Sequence, residues 1–385
     1  MTAAISIYLD NNATTPVAPE CIEALLSVLR ENYGNPSSKH SLGIAAKSAL
    51  MDARSKLAQL LSVTPPELVF TSGGSESIHQ AILGALARFP DRRRILTTQV
   101  EHSATLKLLD ILETQGYEVV RLGVNCQGEL SLPEVEKALT PDTALFSFLW
   151  ANNETGVIFP VQALSEMARE RGITTHCDAV QAVAKIPVDL GRVPLDLLSL
   201  SGHKFGAPKG VGALFIRRGL KWVPLHPGSQ ERGRRAGTEN IPGIVALGVA
   251  AELAKDRLQR GVMKTVDALS QKLEQGLLSK IEGASINGVG APRLPGTLSL
   301  NLGGRVPSEI VLEKLDRQGI QASPGSACSS GGTAPSHVLM AMGLSEQEAH
   351  SSLRLSLSYE TTAAEVQRVL DVFPGVVEKA ILDSQ

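Results

Sequence analysis

Ala144-Leu145-Phe146-Ser147-Phe148-Leu149, Ile173-Thr174-Thr175-His176 and Leu197-Leu198-Ser199-Leu200 stand in one stretch, residues 144–200, as short apolar runs separated by helical patterns. The same alternation extends outward to Leu68-Val69-Phe70-Thr71, Ile95-Leu96-Thr97-Thr98, Val119-Val120-Arg121-Leu122 and Ala213-Leu214-Phe215-Ile216. Strand and helix in turn from about residue 67 to 217 predict an α/β fold, a mainly parallel seven-stranded sheet with helices on both faces. In open sheets of this kind ligands collect beyond the carboxyl ends of the strands. Asn153, Asp178 and Ser201 each follow such a strand.

From about Ala254 to Ile281 the pattern reads as one long amphipathic helix, a bridge into a second domain. Leu298-Ser299-Leu300-Asn301-Leu302 and Leu353-Arg354-Leu355-Ser356-Leu357-Ser358 alternate, so both read as half-buried strands, each followed by a helical pattern. A smaller α+β domain is the expectation. No internal repeat or sizeable low-complexity tail is present.

A chain of 385 residues that is 43% hydrophobic can bury a large core. Its net charge of -2, with Arg92-Arg93-Arg94 the longest basic run, lends no electrostatic support to nucleic-acid binding. Met1-Thr2-Ala3-Ala4-Ile5-Ser6-Ile7 lacks the basic start and apolar run of a secretory signal. The most apolar stretch, near Ile244 to Leu253, is too short to span a bilayer. A cytoplasmic location without membrane attachment is expected. Cys21, Cys126, Cys177 and Cys328 are widely spaced, with no C-x-x-C pair and no Cys/His cluster, so neither a disulfide framework nor a metal site is indicated. Cys177 reads as a buried strand residue.

Three segments carry chemistry. Ser201-Gly202-His203-Lys204 offers an amine, Asp178-Ala179-Val180-Gln181 a carboxylate at a strand end, and Ser326-Ala327-Cys328-Ser329 a thiol. An amine and an anion so placed are what pyridoxal 5'-phosphate (PLP) needs, the first to hold its aldehyde and the second to keep its ring nitrogen protonated. Singly these residues mean little: a loop lysine is usually a solvated charge, a strand-end Asp a turn residue and a free Cys an inert core residue. Residues 323–335 (SPGSACSSGGTAP) hold almost no apolar side chain and read as an exposed, mobile loop that presents Cys328.

Thr71-Ser72-Gly73-Gly74-Ser75-Glu76-Ser77 turns a strand into a helix starting near Ser75, a modest signal for a phosphate site, since most such turns are only turns. His102 after an apolar strand reads first as a capping or core histidine. His203 reads equally as a turn histidine, and Arg354 as a solvent-facing charge. Asn153 and Gln181 carry no signal of their own.

Tyr8-Leu9-Asp10-Asn11-Asn12-Ala13-Thr14-Thr15, Gly34-Asn35-Pro36-Ser37-Ser38, Glu101-His102, Asn152-Asn153-Glu154-Thr155-Gly156, Ser201-Gly202-His203-Lys204 and Arg234-Arg235-Ala236-Gly237-Thr238-Glu239-Asn240 resemble, in order, the motifs of NifS/IscS-type cysteine desulfurases. The resemblance runs from about residue 7 to about 375. The long loop around Cys328 is similar to the NifS/IscS group rather than the short-loop SufS group, and residues 230–240 are similar to the NifS branch.

This resemblance implies the PLP-dependent transferase fold type I, in a homodimer, with a large domain over 15–260 and a small one over 261–385 that also takes in 1–14. It implies PLP as cofactor, with Lys204 holding it, Asp178 at the ring nitrogen, and Gln181 and Asn153 near the ring oxygen. His102 stacks on the ring and aids proton transfer, while Gly74, Ser75, Ser201 and His203 hold the phosphate. Ser75 stands where the family more often has Thr. Thr238 reaches the phosphate of the partner subunit. Arg354, with Asn153, binds the substrate carboxylate, a bidentate task that Lys could not perform.

The reaction implied is sulfur removal from L-cysteine. Lys204 moves the α-proton and Cys328 takes the sulfur as a persulfide, leaving L-alanine. An Fe-S scaffold protein is the implied acceptor, nitrogenase maturation a possible destination, and no resident metal is expected beyond transient contact of Cys328 with a cluster. An aminotransferase or a selenocysteine lyase on the same fold stays open as an alternative. A catalytically silent scaffold should have lost part of the Lys, Asp, His and Cys set.

Overall fold

The computed structural model describes residues 6–325 and 334–384. Its thirteen described strands are β1 (Ile7–Tyr8), β2 (Leu68–Thr71), β3 (Arg94–Thr98), β4 (Glu118–Leu122), β5 (Thr143–Leu149), β6 (Thr174–Asp178), β7 (Leu197–Ser201), β8 (Gly212–Ile216), β9 (Ser285–Ile286), β10 (Thr297–Asn301), β11 (Ile320–Gln321), β12 (Ser323–Pro324) and β13 (Ser352–Ser356). Seven form one sheet in the order β2-β8-β7-β6-β5-β3-β4. β8 runs antiparallel to β2 and β7, and the other pairs are parallel, as the alternating pattern predicts.

The apolar runs of β5, β7 and β8 are buried at every position because helices cover both faces of the sheet. Ile78, Ala81 and Ile82, on the helix Gly74–Leu86, pack on one face with Leu145, Leu197 and Leu214. Phe146, Phe148, Leu198 and Phe215 belong to the larger core on the other face. β6 runs two residues past the predicted His176, which carries Cys177 and Asp178 in register with Phe148 and Leu149. Cys177 is fully buried, as read.

The predicted helix from Ala254 to Ile281 is instead two helices, Ile241–Gln259 and Val262–Lys280. Gly261 separates them at φ +72°, a left-handed conformation that glycine adopts without a Cβ penalty. The apolar stretch 244–253 lies in the first helix and packs against the helices Pro19–Glu31 and Ser41–Leu61.

A separate apolar core lies between a sheet of order β12-β13-β10-β9 and the helices Val262–Lys280, Ser308–Asp316 and Ala363–Asp383. β1 pairs in parallel with β11, and Leu9 joins this core. β10 and β13 are buried at all positions, not half-buried as their alternation predicts. Leu353 and Leu355 enter the apolar core, while the alternate positions Arg354 and Ser356 meet Asn153, Asp10 and Asn12. Ser323 and Pro324, predicted to start a loop, pair with Arg354 and Leu353 at the sheet edge. Ser323 is buried and Gly325 donates to Ser352 O. Cys328 and the rest of residues 326–333 lie outside the described residues. No helix among the described residues is long and apolar enough to cross a membrane.

Candidate active site

Beyond the carboxyl ends of β5, β6 and β7 lies a cavity of about 260 Å³. It gathers Gly74, Ser75, His102, Asn153, Asp178, Gln181, Ser201, His203 and Lys204 from the side of the seven-stranded sheet and Arg354 from β13. Asn12 and Ala13 complete it from the N-terminal segment.

Asp178 ends β6, and its Oδ1 accepts the Val180 N–H at 2.9 Å. Burial raises its pKa above the usual carboxylate range, while His102 and Lys204 oppose that shift. Such a carboxylate favours a cationic partner. Lys204 follows β7 in a single 3-10 turn, Gly202–Lys204, and its Nζ donates to the carbonyls of Asn12 and Ala13 at 2.7 and 2.8 Å.

His102 is the N-cap of the helix Ser103–Thr114, its Nδ1 accepting the Ala104 N–H at 3.1 Å. The capping reading and the site reading therefore both hold for it. His203 Nδ1 lies 3.1 Å from Thr14 Oγ1, and burial lowers its pKa to about 4.

At one end of the cavity the helix Gly74–Leu86 begins. The first N–H groups of a helix have no intrahelical acceptor and favour an anion. Gly73, at φ +152°, and Gly74, where a Cβ would meet Val180 Cγ2 at 3.0 Å, let the backbone line this end. Glu76, from the same first turn, is turned aside to Ser72 N and Arg235.

Arg354 is 1% exposed although charged. It donates to Asp10 Oδ1 at 2.7 Å and to Asn153 O at 3.1 Å, and burial on the inner face of β13 keeps it from solvent. Thr238 stands apart, exposed, beside a different cavity lined by Phe70, Thr71 and Gly237.

Four residues escaped the sequence reading as site residues. Asn12 binds with every polar group: its N–H to Ser356 Oγ, its amide to Asn153 O and Thr297 Oγ1, its oxygens from Lys185, Gln181 and Lys204. Lys185 Nζ donates to Asn12 Oδ1 and Gln181 Oε1, and desolvation holds its pKa well below the usual lysine value. Glu101 is buried behind the cavity, accepting from Thr98 Oγ1 and Leu149 N, and burial raises its pKa to about 8. Burial likewise raises Glu154 to about 7, against the Ser336 hydroxyl and the nearby Arg354 and His102. Three of these lie in quoted motifs, but no local rule separates them from ordinary polar residues.

The aminotransferase class-V family model matches residues 7–369. A protein of Trichormus azollae named cysteine desulfurase is 49% identical over 375 residues, covering 97% of this chain and 93% of its own length. The chain belongs to the aminotransferase class-V family, among its cysteine desulfurases. Among solved structures, one titled NifS-like protein superposes with a TM-score of 0.91 at 37% identity, covering 97% of this chain and 100% of that one. Another, SspA in complex with cysteine, superposes with a TM-score of 0.80 at 34% identity, covering 93% of this chain and 100% of that one. Class-V aminotransferases are PLP enzymes.

The donor set fits that cofactor. A helix N-terminus with Ser75, Ser201 and His203 suits a phosphate, the Asp178 carboxylate suits a protonated ring nitrogen, and Lys204 is an amine on the same cavity. Among the described residues no cluster of His, Cys, Asp and Glu suits a metal ion.

Proposed function

We propose that this protein is a PLP-dependent cysteine desulfurase that converts L-cysteine and the Cys328 thiol into L-alanine and a Cys328 persulfide. The observation that carries this reading is the convergence on one cavity of Lys204, Asp178 and His102 from the side of the seven-stranded sheet and Arg354 from β13.

Bound PLP would supply an electron sink for bonds at the substrate's α-carbon. Gly74, Ser75, Ser201 and His203 would hold its phosphate, Asp178 its ring nitrogen and Gln181, with Asn153 nearby, its ring oxygen. His102 would lie against the ring. Arg354 would take the substrate α-carboxylate in its fork, with Asn153 beside it. Lys204 would take and return the substrate's α-proton. Cys328, as thiolate, attacks the substrate sulfur; the C–S bond breaks, an S–S bond forms, and protonation at carbon completes alanine.

The chain would divide into a large domain, 15–260, and a small one, 261–385 with 1–14; the separate core that joins Leu9 to β10 and β13 supports this, while Val338, Leu339, Met342 and Ala349 pack in the main-sheet core. A homodimer is part of the proposal, because Thr238 is exposed and away from its own chain's cavity, free to reach the phosphate of a partner subunit. Exposed Ile22, Leu29, Tyr33, Ile44 and Met51 give a second copy apolar surface to cover. The persulfide would pass to an Fe-S scaffold protein in the cytoplasm.

Cys328→Ala tests the central step. It should keep the absorbance of bound PLP and abolish alanine formation from L-cysteine; alanine formed at the wild-type rate would refute the nucleophile.

A further inference from the structure

Glu154 is a carboxyl that the proposed chemistry does not use, yet it is only 3% exposed and directly follows the cavity residue Asn153. Its Oε2 accepts the Ser336 hydroxyl at 2.5 Å. The same oxygen would stand 3.6 Å from a Cβ on Gly325, so it lies beside that backbone. Gly325 is the last described residue before 326–333, and Ser336 is the third after it. One buried carboxyl thus bonds Ser336 on one stem of that segment and lies beside Gly325 on the other.

Each stem is also built in. Gly325 donates to Ser352 O on β13, two residues from Arg354. Ser336 Oγ accepts the Leu339 N–H and so starts the short helix His337–Ala341, while His337 Nε2 lies 2.9 Å from Glu101 O. On its other side Glu154 follows Asn153 directly, and the Asn152 side chain accepts its backbone N–H at 2.8 Å. The carboxyl therefore links the peptide that holds Arg354 to Ser336, and it does so beside Gly325.

We propose that Glu154 is a positioning residue that ties Ser336, beside Gly325, to the substrate-binding wall, and thereby sets how Cys328 meets the substrate sulfur. The proposal rests on the desulfurase reading above. Misplacing a reacting group by an ångström costs up to about a hundredfold in rate. The hydrogen bond to Ser336 is what Glu154→Ala removes. Glu154→Gln keeps an amide oxygen that can accept the Ser336 hydroxyl.

The test uses the PLP-loaded full chain and three readouts: bound-cofactor absorbance, single-turnover persulfide on Cys328 by mass, and alkylation of Cys328 by iodoacetamide in the resting enzyme. Glu154→Ala should slow persulfide formation at least tenfold and change the alkylation rate, with cofactor absorbance and the half-saturating cysteine concentration within about twofold of wild type. Glu154→Gln should recover most of the rate. An unchanged persulfide rate in Glu154→Ala would overturn the proposal, as would a loss traced wholly to cofactor release. If the wild-type chain makes no alanine, the desulfurase reading fails. An unaltered alkylation rate in Glu154→Ala would then overturn the anchoring separately.

Discussion

Lys185 Nζ and Gln181 Oε1 are 2.7 Å apart, and that contact decides which way the Gln181 amide faces. An amine nitrogen with two oxygens in reach donates to both, so the amide oxygen must point at Lys185 and the amide nitrogen at Asn12 O, 2.9 Å away. Gln181 Oε1 is thereby committed to Lys185 and one amide N–H to Asn12, which leaves the second N–H as the amide donor for a ligand.

Replacing Lys185 by Met frees that amide to flip. The dissociation constant for PLP should rise about tenfold, the value of one net hydrogen bond. Titration of cofactor absorbance checks this. An unchanged constant would show that Gln181 is oriented by Asn12 alone.

Glu101 makes stability depend on pH. Its folded pKa of about 8 lies above the unfolded value of 4.5, so between those limits the folded chain holds a proton that the unfolded chain has lost. This contribution is full below pH 4.5 and is lost as pH rises to about 8, at up to ~1.4 kcal/mol per unit. In the cofactor-free chain, urea midpoints at pH 6 and pH 8.5 should converge in Glu101→Gln relative to wild type. Equal pH slopes in the two proteins would contradict it.

Arg354→Lys should raise KM for L-cysteine about a hundredfold, since a single ammonium cannot hold both Asp10 and a bidentate carboxylate. Its Nε is buried without a partner among the described residues, a donor in want of an acceptor. Steady-state kinetics decide. A KM within twofold of wild type would remove Arg354 from substrate binding.

Arg54 and Glu231 form a paired fork at 2.5 and 2.8 Å, with both side chains buried and Glu231 also accepting the Phe70 N–H. Glu231→Gln leaves the guanidinium uncompensated and should cost about 3 kcal/mol. The guanidinium chloride midpoint measures it. A stability loss below about 1 kcal/mol would mean that solvent reaches the vacated site.

Local pattern reached as far as local physics did. Most strands of the main sheet were legible because they are short apolar runs that helices cover on both faces, as in β2, β5, β7 and β8, whereas the edge strand β4 is only half-buried. One predicted helix broke into two because Gly261 is left-handed, a choice its neighbours do not dictate. Ser323 and Pro324 were misread as loop because their edge pairing comes from β13, distant in sequence. Arg354 carries no sign of burial in its alternating strand; the cavity wall that encloses it is built from residues 10 and 153. Glu101 and Glu154 went unassigned for the same reason, their environments being assembled from remote parts of the chain.

From sequence alone came the layer architecture, the family resemblance and most of the residues that meet in the cavity, because periodicity and motifs are properties of neighbours along the chain. Only the tertiary structure decided how those residues are held: Asn12 as the hub of Lys185, Gln181 and Lys204, and carboxyls with raised pKa values behind the cavity wall. Desolvation and hydrogen-bond partners are set by atoms brought close across hundreds of residues, and a linear pattern does not encode those distances.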